Sequence, residues 1–204
     1  MAFIGKKPTA APLTSSDITD GVVSNAKLAQ DIISADTALG ATPADTDEFL
    51  VSDAGTLKRV DYSYIKADNT PSFQAYQGSS QNYGSSSTVI TCNTEVFDTS
   101  SAYDTSTYRF TPQVAGKYFF YGQIYITSPG TNLTMQVRLA KNGSEFTKGD
   151  INSAVNRDQA VVTMGAVSLN GSSDYVQLMG WNSAAKDTVA GLQLTYFGGY
   201  KIIE

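Results

Sequence analysis

Residues 115–126, AGKYFFYGQIYI, carry rings or branched chains at most positions, and no other stretch restricts the fold of this chain as strongly. Side chains of an extended strand alternate between its two faces. Tyr118, Phe120, Ile124 and Ile126 therefore share one face with Gly122, while Phe119, Tyr121, Gln123 and Tyr125 share the other. A strand with one wet face would read apolar, polar, apolar. This strand either lies between two layers of its own domain or presses its second face against another subunit.

From Pro71 to the end, strand and turn signals alternate. SFQAY, STVITCNTEVFD, YRFTP, GKYFFYGQIYIT, LTMQVRLAKNG, QAVVTMGAVSLN, DYVQLMGW and GLQLTYFGGYKII are eight strand-like runs separated by breaks rich in Gly, Ser and Asn. Asn142-Gly143 and Asn170-Gly171 read as hairpin turns. Many short strands at this spacing predict a mostly β fold, a sandwich or a barrel. Of the 12 tyrosines, nine phenylalanines and single tryptophan, only Phe3, Phe49, Tyr62 and Tyr64 precede residue 67. The main core is therefore expected in 71–204, with 1–40 as an attachment or stalk segment and 41–70 as a small hairpin knob and linker.

Within the knob, FLV and TLKRV flank SDAG, where Gly55 supplies the positive φ of a tight connection. Asp61 is placed to cap a short helical turn, YSYIK. Upstream, Ile18, Val22, Val23 and Ser24 align with Leu28, Ile32, Ile33 and Ser34 at a spacing of ten. These apolar positions are too sparse for a core within one chain, but three copies side by side would bury them. A flexible leader is the alternative.

Charge and residue absences narrow the functional classes. The net charge is −5 with no Lys/Arg run, so the electrostatic footprint of nucleic acid or anionic membrane binding is lacking. No apolar run is long enough to cross a bilayer, and MAFIGKKPTAAPL lacks the apolar centre of a secretory signal, so synthesis and folding in a cytoplasm are expected. There is no histidine, which removes Ser-His-Asp and Cys-His chemistry and histidine metal sites. Cys92 is the only cysteine; it is expected to be a buried strand residue rather than a reactive thiol.

Read in order, SFQAY, EVFD, YDTSTYRFTPQVAGKYFF, LAKNG, SLNGSSDYVQL and FGGYKII resemble the motif series of the globular head of the complement first component's q subunit, a relative of the tumour-necrosis-factor jelly rolls. The resemblance spans Pro71 to Glu204. It implies a ten-stranded jelly-roll sandwich assembled as a homotrimer, with Tyr118, Phe119, Phe120, Tyr121, Tyr125 and Phe197 as core or trimer-interface aromatics. Tyr103, Phe110, Gly116, Leu139, Asn142, Gly143, Val176, Leu178 and Gly199 also fall on structural positions of that family. Three departures stand out: Tyr108 occupies the place of the family's usual glycine before the RF pair, the proline of the next turn is shifted to Pro112, and the segment between Asp98 and Tyr103 is short.

No Gly-X-Y period precedes the head, so a collagen stalk is excluded. Instead, MAFIGKKPTAAPLTSSDITDGVVSNAKLAQD and DEFLVSDAGTLKRVDYSYIK resemble the N-terminal portions of tail-fibre and other virion proteins of bacteriophages. Together the two resemblances imply a non-enzymatic, trimeric tail fibre or fibre tip located in the virion. Residues 1–40 would join other tail or capsid proteins, and the head would bind a host cell-surface glycan or protein. No cofactor, catalytic residue or metal ligand is assigned.

Alternatives are a capsid-decoration or neck fibre, a polysaccharide depolymerase and a secreted signalling ligand. The depolymerase would need a carboxylate pair from Glu95, Asp98 and Asp104, or from Asp150 and Asp158. NLT at 132–134 and NGS at 142–144 and 170–172 match the glycosylation pattern but read as turns. Trp181 closes DYVQLMGW, where a core or interface role is expected ahead of sugar stacking.

Overall fold

The structure, a computed structural model, describes residues 37–66 and 68–203. The expected stalk and its ten-residue repeat lie outside the described residues, apart from the last positions before residue 41. The chain divides into two compact units after Lys66, slightly ahead of the boundary expected at residue 70.

The first unit is a hairpin of β1 (Glu48–Asp53) and β2 (Thr56–Asp61). Asp53 pairs with Thr56, leaving a two-residue connection in which Ala54 and Gly55 have φ of 50° and 86°. Both residues are left-handed, so the turn twists in the sense that strands require. Lys58 pairs with Asp53 and Arg59 with Glu48, both on exposed side chains. A 3-10 turn, Tyr62–Tyr64, follows as expected, yet the Asp61 side chain makes no capping bond. The N–H of Tyr62 donates instead to the Asp47 carbonyl at 2.7 Å, and Lys66 is paired with Asp45 at 2.6 Å, so backbone and ion-pair links tie the turn back.

The second unit is a sandwich of antiparallel strands. They are β3 (Ser72–Tyr76), β4 (Asn82–Tyr83), β5 (Thr88–Val89), β6 (Thr94–Asp98), β7 (Tyr103–Asp104), β8 (Arg109–Phe110), β9 (Ala115–Ile126), β10 (Leu133–Lys141), β11 (Ser144–Ser153), β12 (Gln159–Asn170), β13 (Val176–Asn182), β14 (Lys186–Asp187) and β15 (Tyr196–Lys201). One sheet runs β12-β9-β15-β3-β6, and the other runs β11-β10-β13-β8-β7 with β5 also on β13. β4 and β14 form a small separate ribbon. Five of these strands are two-residue pieces, which is why they outnumber the ten of the expected jelly roll.

Three details differ from the sequence reading. STVITCNTEVFD breaks into β5 and β6, because Ile90 and Cys92 turn into the core between them. SEFTKGDINS, which had no strand signal of its own, is β11, the return strand required by the Asn142-Gly143 turn. Asn142 and Gly143 have φ of 51° and 81°, the left-handed pair of a tight hairpin. Asn170-Gly171 is not a hairpin turn. The Asn170 side-chain oxygen accepts the N–H groups of Ser172, Ser173 and Asp174, each at 3.0 Å, and the chain crosses to the other sheet as β13.

The core lies between the sheets. Phe73 stacks on Tyr103 and Phe110, each with centroids 4.6 Å apart, and Phe197 meets Phe73 edge-on at 4.9 Å. Tyr118, Phe120, Ile124 and Ile126 of β9 face Met135, Val137, Leu139, Val176 and Leu178 of the opposite sheet, all essentially inaccessible. Burial of each such side chain contributes roughly 1.5–3 kcal/mol. Two glycines in succession, Gly198 and Gly199, serve opposite faces of β15: a Cβ on Gly199 would meet the Phe120 ring in the core at 2.4 Å, and one on Gly198 would meet the Tyr121 ring outside at 2.5 Å.

Candidate functional site

Tyr118, Phe120 and Phe197 are core residues, whereas Phe119, Tyr121 and Tyr125 lie on the outer face of the same sheet. The family-matching residues take structural places: Tyr103, Phe110, Leu139, Val176, Leu178 and Gly199 are buried, while Gly116, Asn142 and Gly143 occupy strand ends and turns. The opening strand thus has a dry face of complete burial and a second, half-buried face of rings.

Register extends that outer face across the sheet. Phe119 is flanked by Ala166 and Tyr200, Tyr121 by Met164 and Gly198, and Gln123 by Val162 and Tyr196. Tyr76 lies beyond Tyr196 on β3. Phe119 and Tyr200 are 5.7 Å apart by ring centroid, and Tyr121 and Tyr196 are 6.2 Å apart and edge-on. Met164 is 57% exposed and Val162 44%. The Tyr121 phenol is pushed up from its ordinary value, chiefly by burial and then by Tyr196 and Tyr200 beside it. The sequence reading found Phe119, Tyr121 and Tyr125 but missed Val162, Met164, Tyr196 and Tyr200. QAVVTMGAVSLN held the missing signal, because it is apolar on both parities.

The carboxylates weighed for catalysis take structural or exposed places. Asp98 accepts the N–H of Tyr103 at 2.8 Å and of Ser100 at 3.2 Å, and Asp158 accepts the Tyr125 hydroxyl and the Ser128 N–H, each at 3.0 Å. Both hold turns. Glu95 lies exposed on the edge strand β6, and Asp150 lies on the outer face of the other sheet. No three His, Cys, Asp or Glu side chains converge as a metal site among the described residues. Cys92 is completely buried, and burial pushes its thiol up to about 12, so it carries negligible thiolate at neutral pH.

Asp104 organises the β7–β8 turn. Its carboxylate accepts the Ser106 hydroxyl at 2.6 Å, the Ser106 N–H at 2.8 Å and the Thr107 hydroxyl at 2.9 Å. These bonds, the Ser106 hydroxyl first, hold its carboxyl down at about 2 from an ordinary 3.8. Four residues after Asp104, Tyr108 takes the left-handed φ of 59°. A depressed carboxyl contributes stability above its ordinary value and loses it as pH falls through the folded value. NMR titration of the Asp104 carboxyl is therefore expected to give a midpoint near 2, and Asp104→Asn is expected to flatten the acid dependence of thermal stability between the ordinary and folded values. A midpoint near 3.8 would mean that the turn is not formed in solution.

A second lock joins two turns at one end of the sandwich. Asp174 pairs with Lys141 at 2.8 Å and accepts the Asn142 side-chain amide at 2.7 Å and the Asn170 N–H at 3.0 Å. Lys141 is the leading reason that this carboxyl lies below the usual range. Polar side chains at this end are spent on the fold.

No protein-family model matches the sequence, and no curated protein matches it. Among solved structures, the chain is similar to the globular domain of zebrafish complement 1qA protein, with a TM-score of 0.51 and 16% identity over 66% of this chain and 99% of that one. It is likewise similar to Eiger TNF from S. frugiperda, with a TM-score of 0.51 and 11% identity over 67% of this chain and 95% of that one. At such identities the likeness speaks to fold alone, and it agrees with the strand order and core: the chain contains a jelly roll of the complement-head and tumour-necrosis-factor type.

Proposed function

We propose that this protein is a non-enzymatic, homotrimeric virion fibre of a bacteriophage whose jelly-roll heads attach the particle to a host cell surface. The observation that carries the trimer is the outer face of the β12-β9-β15-β3-β6 sheet, where Phe119, Tyr121, Val162, Met164, Tyr196 and Tyr200 lie together with no covering layer among the described residues of the second unit. Large contiguous apolar patches of this kind mark association surfaces. The aromatic-rich inner sheet of the heads it resembles in sequence supports the same arrangement.

The virion assignment rests on the resemblance of residues 1–66 to phage fibre leaders, and residues 1–40 are the segment that would join other virion proteins. Attachment follows from geometry: three identical heads turn weak contacts into firm adhesion by raising effective concentration. Light scattering on the purified chain is expected to return three times 21.7 kDa. A monomer overturns the trimer. Purified trimers that fail to bind cells to which the intact particle adsorbs overturn the attachment role.

A further inference from the structure

The outer face of the other sheet carries a feature that the trimer does not use. β13 turns Val176, Leu178, Gly180 and Asn182 into the core, so Gln177, Met179 and Trp181 lie on its outer side, where Gln177 is buried against the Thr107 carbonyl and Met179 and Trp181 are half-buried. Trp181 pairs across β10 with Gln136, and Gln136 pairs across β11 with Asp150, which sets one ring and two planar polar groups in a row. The next row is Val89, Met179, Arg138 and Lys148. On the other side, Thr134 and Asn152 are joined by a side-chain bond of 3.2 Å.

The indole is fixed in position. Its Nε1–H donates to the Ser85 carbonyl at 2.9 Å, which ties it to the exposed Ser85–Ser87 loop. Its neighbours are partly committed in a useful way. Arg138 donates to the Gln136 side-chain oxygen and pairs with Glu145 at 3.2 Å, so the guanidinium charge is compensated and the Gln136 amide is held by its oxygen, with its nitrogen free to donate. Among the described residues nothing engages the Asp150 carboxylate.

We propose that this shelf is a carbohydrate site, with Trp181 as the platform for the C–H face of a neutral hexopyranose and Gln136 and Asp150 as partners for its hydroxyls. A pyranose presents a flat apolar face with a rim of donors and acceptors, and a pinned indole beside a row of an amide and a carboxylate complements both. Other occupants fit less well. Asp150 and Glu145 balance Lys148 and Arg138 on this face, so no excess positive charge gathers phosphate there, which disfavours nucleic acid. Asp150 sits on the terminal strand β11, but the free edge of β11 comes against β12 of the other sheet, so no open strand edge is offered to a peptide. Neighbouring strands set such groups about 4.8 Å apart, on a rigid support. Because the shelf is on the sheet opposite the aromatic face, it stays accessible when that face is covered. The inference rests on the attachment reading for its biological meaning and names the ligand class of that reading.

Trp181 is the only tryptophan in the chain, so its fluorescence reports this site alone. The full chain is titrated with methyl glycosides of glucose, galactose, mannose and N-acetylglucosamine, up to about 100 mM because single-sugar sites are weak. At least one sugar is expected to change Trp181 emission saturably. Gln136→Ala and Asp150→Ala, both on the surface, are expected to weaken that sugar about tenfold each, with an unchanged molar mass. No saturable change with any sugar, or variants that bind like the parent, overturns the site. Cell binding read in parallel separates the two ideas. Heads that bind cells equally well with and without Trp181→Ala sink the shelf and leave attachment standing, whereas a sugar response without cell binding sinks attachment and leaves the shelf.

Discussion

Gly149→Ala is expected to destabilise the head by about 3 kcal/mol or more, lowering the thermal midpoint by about 6–12 °C for a chain of this size. Gly149 lies in β11 opposite Val137, where the edge of one sheet comes against β12 of the other. A Cβ built there would sit 2.0 Å from the Val162 carbonyl oxygen and 3.1 Å from its carbon. No rotamer relieves that overlap, because the obstacle is backbone. One sheet edge would have to retreat, and with it the bond from the Thr147 hydroxyl to the Met164 carbonyl at 3.2 Å. Gly165→Ala provides the comparison: its Cβ would meet the Thr147 methyl at 3.0 Å, a side-chain contact that can give by a few tenths of an ångström. Its cost is expected to be about 1 kcal/mol. If calorimetry finds the two variants equally mild, the sheet edges are not in contact at Gly149.

The same edge shows what the sequence could and could not reveal. β10 is legible because Leu133, Met135, Val137 and Leu139 alternate with polar residues, and β9, β12 and β13 because they are runs of seven to twelve residues rich in aromatic and branched side chains. β11 is not, because it contributes only Phe146 and Ile151 to the core margin and shows lysine, aspartate and asparagine to water. Its existence follows from Asn142-Gly143, since a hairpin turn implies a second strand. Asn170-Gly171 misleads for a related reason: asparagine favours any turn that its side chain can close, and here it closes a crossing between sheets.

The candidate surfaces were legible to different degrees. The aromatic outer face was visible in β9, because no single sandwich interior can bury both parities of that strand against one layer. Its extension over β12 and β15 depends on register, which a sequence does not contain. Trp181 was readable in principle, since Val176, Leu178 and Gly180 fix the core parity and leave Trp181 outside. Its neighbours Gln136 and Asp150 come from strands 45 and 31 positions away by numbering, and only the pairing of β10 with β13 and β11 unites them.

Met164→Lys is expected to convert the proposed trimer to a monomer while leaving the head folded. Met164 is 57% exposed in the single chain, so a lysine there is solvated and costs the isolated head little. Beside it on the face are Tyr121, Val162 and Tyr196, with no carboxylate at that level of the sheet among the described residues. Once a second copy covers the face, the ammonium group is buried without a partner, at a cost of about 3–5 kcal/mol. That corresponds to a weakening of association of more than about a hundredfold for each interface, and a symmetric trimer repeats it three times. Asn152→Lys adds the same charge on the outer face of the opposite sheet and is expected to leave the mass unchanged. Light scattering across a concentration series reads both variants, and a Met164→Lys protein that keeps the parent mass places the subunit contact elsewhere. Under the proposed attachment role the same face has a separate test: heads that no longer associate retain each individual binding surface but lose multivalency, so adhesion to cells is expected to fall by about a hundredfold or more while single-site affinity is preserved.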